Sequence, residues 1–250
     1  MVKLAIIGLL MLRAVLVLYP FLAFYVIVAT LIFVPWTWVT GDIRAIYWVA
    51  RQGVRLALSL SGVRVQLNGN TRFRDAIPAV FLSNHVSNIE PAVLFMVLPR
   101  IAVILKKELG YIPLLGYVMR LGGFIYVDRK DRDSRRKALE DSISTLKKNH
   151  ISLLIFPEGT RSTDGELLPF SPGPFTVAIE AQAPIVPVTV SGAQEIMPKG
   201  AVSLKPGEIT LVFHDPVMTL GYTTEQRAEL MKQVRTVMED GIRAESNLRV

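Results

Sequence analysis

Ala79-Val80-Phe81-Leu82-Ser83-Asn84-His85-Val86-Ser87-Asn88-Ile89-Glu90-Pro91 is the stretch from which the fold can be read. Its first five residues form an apolar run as long as a buried strand, and Ala92 to Leu98 is apolar enough for a helix. A histidine and a carboxylate five positions apart therefore fall where a strand gives way to a helix. Five residues on an ideal helix is about 500° of rotation, so the two share no helical face. They meet only if His85 lies in the loop and Glu90 in the first helical turn. Placed so, the carboxylate would fix the imidazole tautomer and stabilise the imidazolium as the ring takes a proton. A competing reading makes Ser87-x-x-Glu90 a capping box, although Pro91 suits a first-turn position and moves the boundary later.

The same alternation continues along the chain. Strand-like runs are Val63–Leu67, Ala79–Ser83, Ile101–Leu105, Gly123–Val127, Ser152–Phe156, Ile185–Val190 and Ile209–Phe213. Helix-like runs between them are Pro91–Leu98, Pro113–Leu121, Ser134–Asn149 and Phe175–Ala181. This pattern predicts an α/β fold with a mixed, largely parallel sheet flanked by helices. Functional residues in such folds gather at strand ends, and the polar motifs here fall at strand ends. Gly122-Gly123-Phe124-Ile125-Tyr126-Val127 runs into Asp128-Arg129. A charged block follows to Lys137, read as a mostly solvated helix face, with Arg129 the member nearest a substrate. Ile155-Phe156-Pro157-Glu158-Gly159-Thr160-Arg161-Ser162 is a strand ending in a proline and a polar turn. Its glycine permits close backbone approach to a ligand, its arginine offers a planar fork for phosphate, and Glu158 can accept from substrate hydroxyls. Pro187, inside Ile185–Val190, predicts a bulge or an edge strand. Lys106 and Lys107 close another strand, and one of them is expected to face the same pocket.

The first 60 residues differ in kind. Ala14 to Gly41 is a run of 28 uncharged residues rich in Leu, Val, Ile and Phe. As a helix it would reach roughly 42 Å, against about 30 Å of hydrocarbon in a bilayer. It is too long for a signal-peptide core. Pro20 is expected to kink it, and Trp36, Trp38 and Trp48 follow, as at a headgroup interface. Ile43 to Leu60 carries Arg44, Arg51 and Arg55 on a similar face, the pattern of an interfacial helix with a cationic stripe. A single span with a surface helix and a hairpin dipping into one leaflet both fit. Lys3 and Arg13 before the run and the three arginines after it favour a cytoplasmic globular part only mildly. The chain is thus read as a membrane-associated helical segment, residues 1–60, and an α/β domain, residues 61–250. Thr223-Thr224-Glu225-Gln226 reads as a capping box opening a C-terminal helix that packs through Leu230, Val234, Val237, Met238 and Ile242, followed by a polar, frayed tail.

Composition narrows the function. The chain has no cysteine, which excludes disulfides, a thiolate nucleophile and cysteine-bound metal. Net charge of +7 points to an anionic partner, and a mean hydropathy of +0.39 favours lipid over nucleic acid. No G-x-S-x-G elbow, P-loop, H-E-x-x-H or dinucleotide glycine fingerprint occurs. His150 sits in a basic helix end and His214 ends the last strand, so both read as structural.

With these pieces assembled, the chain resembles the glycerophospholipid acyltransferases, and within them the 1-acylglycerol-3-phosphate (lysophosphatidate) acyltransferases. The family's Asn-His-x4-Asp block is matched by Asn84 to Glu90, its Gly-x-Ile-Phe-x-Asp-Arg block by Gly123 to Arg129, and its Phe-Pro-Glu-Gly-Thr-Arg-Ser block by Phe156 to Ser162. Its Val-Pro-Val block is matched by Val186 to Val188, and its Lys-x-Glu-Leu…Ile-Pro…Gly run ends at Gly116. The ordered set is far more specific than any one motif. The resemblance implies a membrane acyltransferase of phospholipid biosynthesis. Its donor would be an acyl-CoA or acyl carrier protein thioester and its acceptor lysophosphatidate, with phosphatidate as product. It implies no cofactor, no metal and no nucleic acid, and a place on the inner membrane with the catalytic domain facing the cytoplasm.

By the same resemblance His85 is the general base and Glu90 orients it. Arg129 and Arg161, with Lys106 or Lys107, hold the acceptor's phosphate. Glu158, within the Glu158-Gly159-Thr160 turn, holds the glycerol, and the Pro187 strand shapes the site. Two departures stand out. Glu90 replaces the usual aspartate, so the imidazole must sit further away or the loop must adjust. Phe170-Ser171-Pro172-Gly173 lacks the lysine of the family's Phe-Lys-x-Gly. A relative acting on another lysolipid or on glycerol 3-phosphate, and a non-catalytic lipid-binding relative, remain as alternatives.

Overall fold

The structure, a computed structural model, describes residues 14–74 and 78–248. Lys3 and Arg13 lie outside the described residues. A seven-stranded sheet runs through the globular part: β1 (Val63–Gly69), β2 (Val80–Ser83), β3 (Ile101–Lys106), β4 (Ile125–Val127), β5 (Ser152–Ile155), β6 (Ile185–Ser191) and β7 (Gly207–Phe213), in the order β1-β7-β6-β2-β5-β3-β4. Every pairing is parallel except β6 with β7. All seven strands, and the four helices expected between them, fall where the sequence pattern predicts them; a short further helix, Ala193–Ile196, was not expected. The reason is visible in β2 and β5, whose residues are all buried. A strand covered on both faces must be apolar throughout, and such runs stand out between glycine and proline punctuation.

Successive side chains of a strand point to opposite faces. Val80, Leu82, Leu153 and Ile155 accordingly join one core with α5 (Arg132–Lys147), α6 (Gly173–Ala181) and α8 (Arg227–Leu248). Phe81, Leu154, Val186 and Val188 join another with α2 (Arg44–Leu60) and α3 (Glu90–Val97). Two short helices, α4 (Leu115–Leu121) and α7 (Ala193–Ile196), complete the layers.

Three expectations are corrected. Pro187 sits in β6, an interior strand, opposite Leu82 of β2. Its carbonyl accepts from the His214 N–H at 3.0 Å, so its nitrogen also faces β7, just before that ladder begins at Val188–Phe213. No donor is needed there, and neither bulge nor edge follows. The tail does not fray after Ile242: α8 continues to Leu248, with the capping box at Thr223 and Gln226 ahead of it. Arg51 leaves the cationic stripe, donating to the Leu98 carbonyl and lying over the Tyr47 and Phe95 rings at 6.0 and 5.9 Å.

The N-terminal stretch enters as a π-helical turn, Ala14–Leu18, and continues as α1 (Tyr19–Thr40). Pro20 lies in the first turn of α1, where a missing N–H costs little, with the change of helical register just ahead of it. Gly41, with φ 69°, ends α1, and α2 doubles back along it. The Tyr25 hydroxyl donates to Val49 at 2.6 Å, and Gly53 gives way to the Tyr25 ring, which a Cβ there would meet at 2.6 Å. Residues 16–40 have a mean hydropathy of 2.5 within their most apolar window, which is only 6% buried. Trp36, Trp38 and Trp48 are all exposed.

Candidate active site

Parallel strands bring their C-terminal ends to one edge, and the polar motifs converge there. β2 stops at Ser83 because Asn84 takes over its ladder. The Asn84 amide donates to the Val190 carbonyl at 3.0 Å and accepts from the Val190 N–H at 2.7 Å, extending the β2–β6 pairing by a side chain. This anchor was not singled out in the sequence, although a polar amide closing a buried strand is its signal. The chain then turns out of the sheet at His85.

The backbone of His85 is gripped on both sides by the loop after β5. Its N–H donates to Glu158 Oε1 at 2.8 Å, and its carbonyl accepts from the Ser162 N–H at 2.8 Å. The ring stacks on Phe156 with centroids 4.2 Å apart. Glu90 is the first residue of α3, as the loop-plus-first-turn geometry requires. Its carboxylate accepts from the Val86 N–H at 2.9 Å and lies 2.7 Å from His85 Nδ1. With Glu90 ionised the carboxylate only accepts, so Nδ1 would carry the hydrogen and leave Nε2 with a lone pair. Nε2 has no hydrogen-bond partner among the described residues. With glutamate at this position the carboxylate still reaches the ring at 2.7 Å and also holds the loop through the Val86 N–H. The Ser87 hydroxyl makes no cap; it donates to the Met197 carbonyl at 2.7 Å.

Glu90 is fully buried, and burial pushes its carboxyl above the ordinary carboxylate range, against the pull of the His85 ring and of the Val86 and Ser87 N–H groups. Glu158 is raised by burial as well, opposed by the Leu168 and His85 N–H groups. Its second oxygen accepts from the Leu168 N–H at 2.9 Å. Both of its oxygens thus already serve the backbone, and any acceptor hydroxyl would share them.

Arg129 extends from the end of β4 to donate to the Gly159 carbonyl. Gly159 has φ 68° and open space where a Cβ would stand, while Thr160 is exposed. Arg161 is half-buried, and its Nη1 is buried without a hydrogen-bond partner among the described residues. A guanidinium nitrogen left dry and unpaired is costly unless a ligand completes it. The lysines divide. Lys107 pairs with Asp128, which raises the lysine and lowers the carboxyl, whereas Lys106 stands at the exposed end of β3 beside Glu108 at 3.7 Å. His214 lies outside this cluster, bonded to the Thr189 hydroxyl at 3.1 Å, and His150 is an exposed turn residue with φ 50°. Among the described residues there is no group of three or more histidines and carboxylates suited to a metal.

A histidine–carboxylate pair at a strand end, beside a loop carrying arginine, is an arrangement suited to group transfer. Residues 64–191 match the acyltransferase family model, and the chain belongs to that family. Its relatives include the 1-acyl-sn-glycerol-3-phosphate acyltransferase of Limnanthes alba, 28% identical over 204 residues, covering 81% of this chain and 71% of that protein. Another is the human 1-acyl-sn-glycerol-3-phosphate acyltransferase alpha, 34% identical over 180 residues, covering 72% of this chain and 64% of that protein. The crystal structure of the 1-acyl-sn-glycerophosphate acyltransferase PlsC from Thermotoga maritima shares the fold, with a TM-score of 0.76 over 97% of this chain and 95% of that one at 23% identity.

Proposed function

We propose that this chain moves a fatty acyl group from an acyl-CoA or acyl carrier protein thioester to the free sn-2 hydroxyl of 1-acylglycerol-3-phosphate, giving phosphatidate. The observation that carries the reading is the 2.7 Å contact between Glu90 and His85 Nδ1, which leaves Nε2 as a base at the sheet edge. His85 Nε2 takes the acceptor's hydroxyl proton as that oxygen attacks the thioester carbonyl. Glu90 stabilises the imidazolium, the tetrahedral intermediate collapses with loss of the thiolate, and the imidazolium returns the proton to sulfur. Every atom and proton is accounted for by donor, acceptor and one histidine. Arg161, with its unpaired buried nitrogen, and Arg129, at the Gly159 loop, hold the acceptor's phosphate.

The reaction is proposed to run at a membrane surface, with the globular part on the cytoplasmic face where the thioester donors are made. The Tyr19 hydroxyl donates to the Val202 carbonyl, and the Trp38 indole donates to the Tyr117 hydroxyl at 3.2 Å. Both ends of α1 thus touch the globular part, which favours a helical hairpin resting in one leaflet over a span.

The test is acyl transfer by the purified full chain in lipid vesicles, with both thioesters and with lysophosphatidate, lysophosphatidylcholine and glycerol 3-phosphate as acceptors. Phosphatidate formation is the expected result. Transfer only to another acceptor would replace the substrate and keep the mechanism, and binding without transfer would favour a non-catalytic relative. Arg161→Ala is expected to raise KM for lysophosphatidate about 10- to 100-fold, the worth of a charged hydrogen bond of about 1.5–3 kcal/mol, with a smaller change in kcat. An unchanged KM would remove Arg161 from the phosphate site.

A further inference from the structure

Between β3 and β4 the chain turns its apolar side chains outward. Leu109, Tyr111, Ile112, Leu114 and Tyr117 are 39, 72, 41, 42 and 42% exposed, five large apolar residues within nine positions. We propose that this segment, opening with the 3₁₀ turn Lys107–Tyr111 and closing in α4, is a second membrane-inserting element beside the site. It would sit in the same leaflet as α1 and bring the mouth of the site onto the lipid surface. The inference rests on the membrane-surface reading above.

The backbone is built to hold this display. Leu114 has φ 59°, and the Leu115 N–H reaches the Pro113 carbonyl at 2.6 Å, a γ-turn of the rare positive-φ kind. A bulky residue in that conformation is strained and persists only when its surroundings hold it. They do so from the inner side. Gly110 and Gly116 pack backbone to backbone, so that a Cβ on Gly116 would lie 2.3 Å from the Gly110 carbonyl oxygen. Arg120 donates to that oxygen at 2.8 Å and lies over the Tyr126 ring at 5.6 Å, while the Tyr126 hydroxyl donates to the Gly116 carbonyl at 3.1 Å. Polar contacts therefore pin the inside of the loop and apolar side chains face outward, the reverse of a loop made for water. An apolar patch of this kind marks a partner surface.

Continuity decides which partner. Tyr117 accepts from the indole of Trp38, itself 66% exposed at the end of the apolar α1. The patch therefore adjoins the helix proposed to lie in the bilayer, with tyrosine and tryptophan at the junction, where amphipathic rings suit the headgroup level. The other side leads to the site. Lys107 pairs with Asp128, Arg129 reaches Gly159, and Glu158 holds the His85 N–H. A lipid acceptor entering beside this segment would meet the arginines before the base.

The absence of cysteine makes the test clean, since a single introduced thiol is the only labelling site. Tyr111→Cys in the full chain, carrying an environment-sensitive fluorophore, is compared with Glu225→Cys on the exposed turn ahead of α8. Both are added to phosphatidylglycerol–phosphatidylcholine vesicles containing chain-nitroxide lipids. Quenching several-fold stronger at position 111, with loss of access to aqueous iodide, is expected. Equal quenching and equal iodide access at the two positions would overturn the proposal. In parallel, the double variant Tyr111→Ser with Leu114→Asn keeps a residue tolerant of positive φ while removing apolar area. KM for vesicle-embedded long-chain lysophosphatidate is expected to rise about tenfold, with no change for a monomeric short-chain acceptor. Equal losses on both acceptors would assign the segment a structural role and overturn the proposal. No transfer to any acceptor by the unaltered chain would sink the functional reading instead, and the quenching result would still decide insertion.

Discussion

His85→Ala is expected to lower kcat by about 10²- to 10⁴-fold, the range a positioned general base supplies. The loop survives the change, because Glu158 and Ser162 grip the backbone of residue 85 rather than its ring. The loss therefore falls on turnover and leaves acceptor binding nearly intact. Stability shifts in a telling way. Glu90 loses the ring that opposes its burial, so its carboxyl rises further above the ordinary range. A raised carboxyl binds its proton more tightly in the folded chain than in the unfolded one. Its stabilisation is present at acid pH and is lost as pH rises through the folded-state value. His85→Ala should consequently lose more thermal stability at pH 8 than at pH 5.5. Full turnover in this variant, measured with either thioester, would overturn the mechanism.

Glu90→Gln separates activity from stability. The carboxamide is the same size and still accepts from Val86, but its NH₂ can face Nδ1, which moves the imidazole hydrogen to Nε2 and removes the base. The imidazolium also loses its counter-charge. We expect kcat to fall about 10²- to 10⁴-fold while the neutral-pH melting temperature holds or rises, because a buried charge has been replaced by a neutral group. The unaltered chain should lose stability between acid and neutral pH on account of Glu90. The Gln variant should show a shallower slope, with Glu158, raised by burial in the same sense, keeping part of it. Glu90→Asp keeps the charge but shortens the reach across a 2.7 Å contact. It should cost about tenfold in kcat and restore the steep slope. A Gln variant as active as the unaltered chain would show that the carboxylate does not set the tautomer.

The strands and the His85–Glu90 pair were legible because they rest on local rules: buried apolar runs, glycine and proline punctuation, and a spacing that only a loop-to-helix junction can close. Longer-range features were not. Pro187 looks misplaced until β7 is seen to begin its ladder one residue later. Arg51 matches a surface stripe by period, and only the end of α3 shows why it turns inward. Glu158 carries the chemistry of a hydroxyl ligand, but its bonds to His85 and Leu168 depend on a loop that β5 delivers from 73 residues away. The outward display from Leu109 to Tyr117 was not legible either, because hydrophobicity alone does not say which side of a turn faces out.

The grip of distant segments on His85 also bears on how the molecule acquires its activity during folding. The loop is held by contacts spanning 73 residues to Glu158, 106 from Asn84 to Val190, and 110 from Ser87 to Met197. Each of these joins the end of β2 to a segment that follows or belongs to β5 or β6, the strands on either side of it. Long-range pairing of this kind is slow, because chain entropy is spent before the contacts form. In a refolding experiment helical signal should recover first and acyl transfer last, since no fragment ending before β6 contains a completed site.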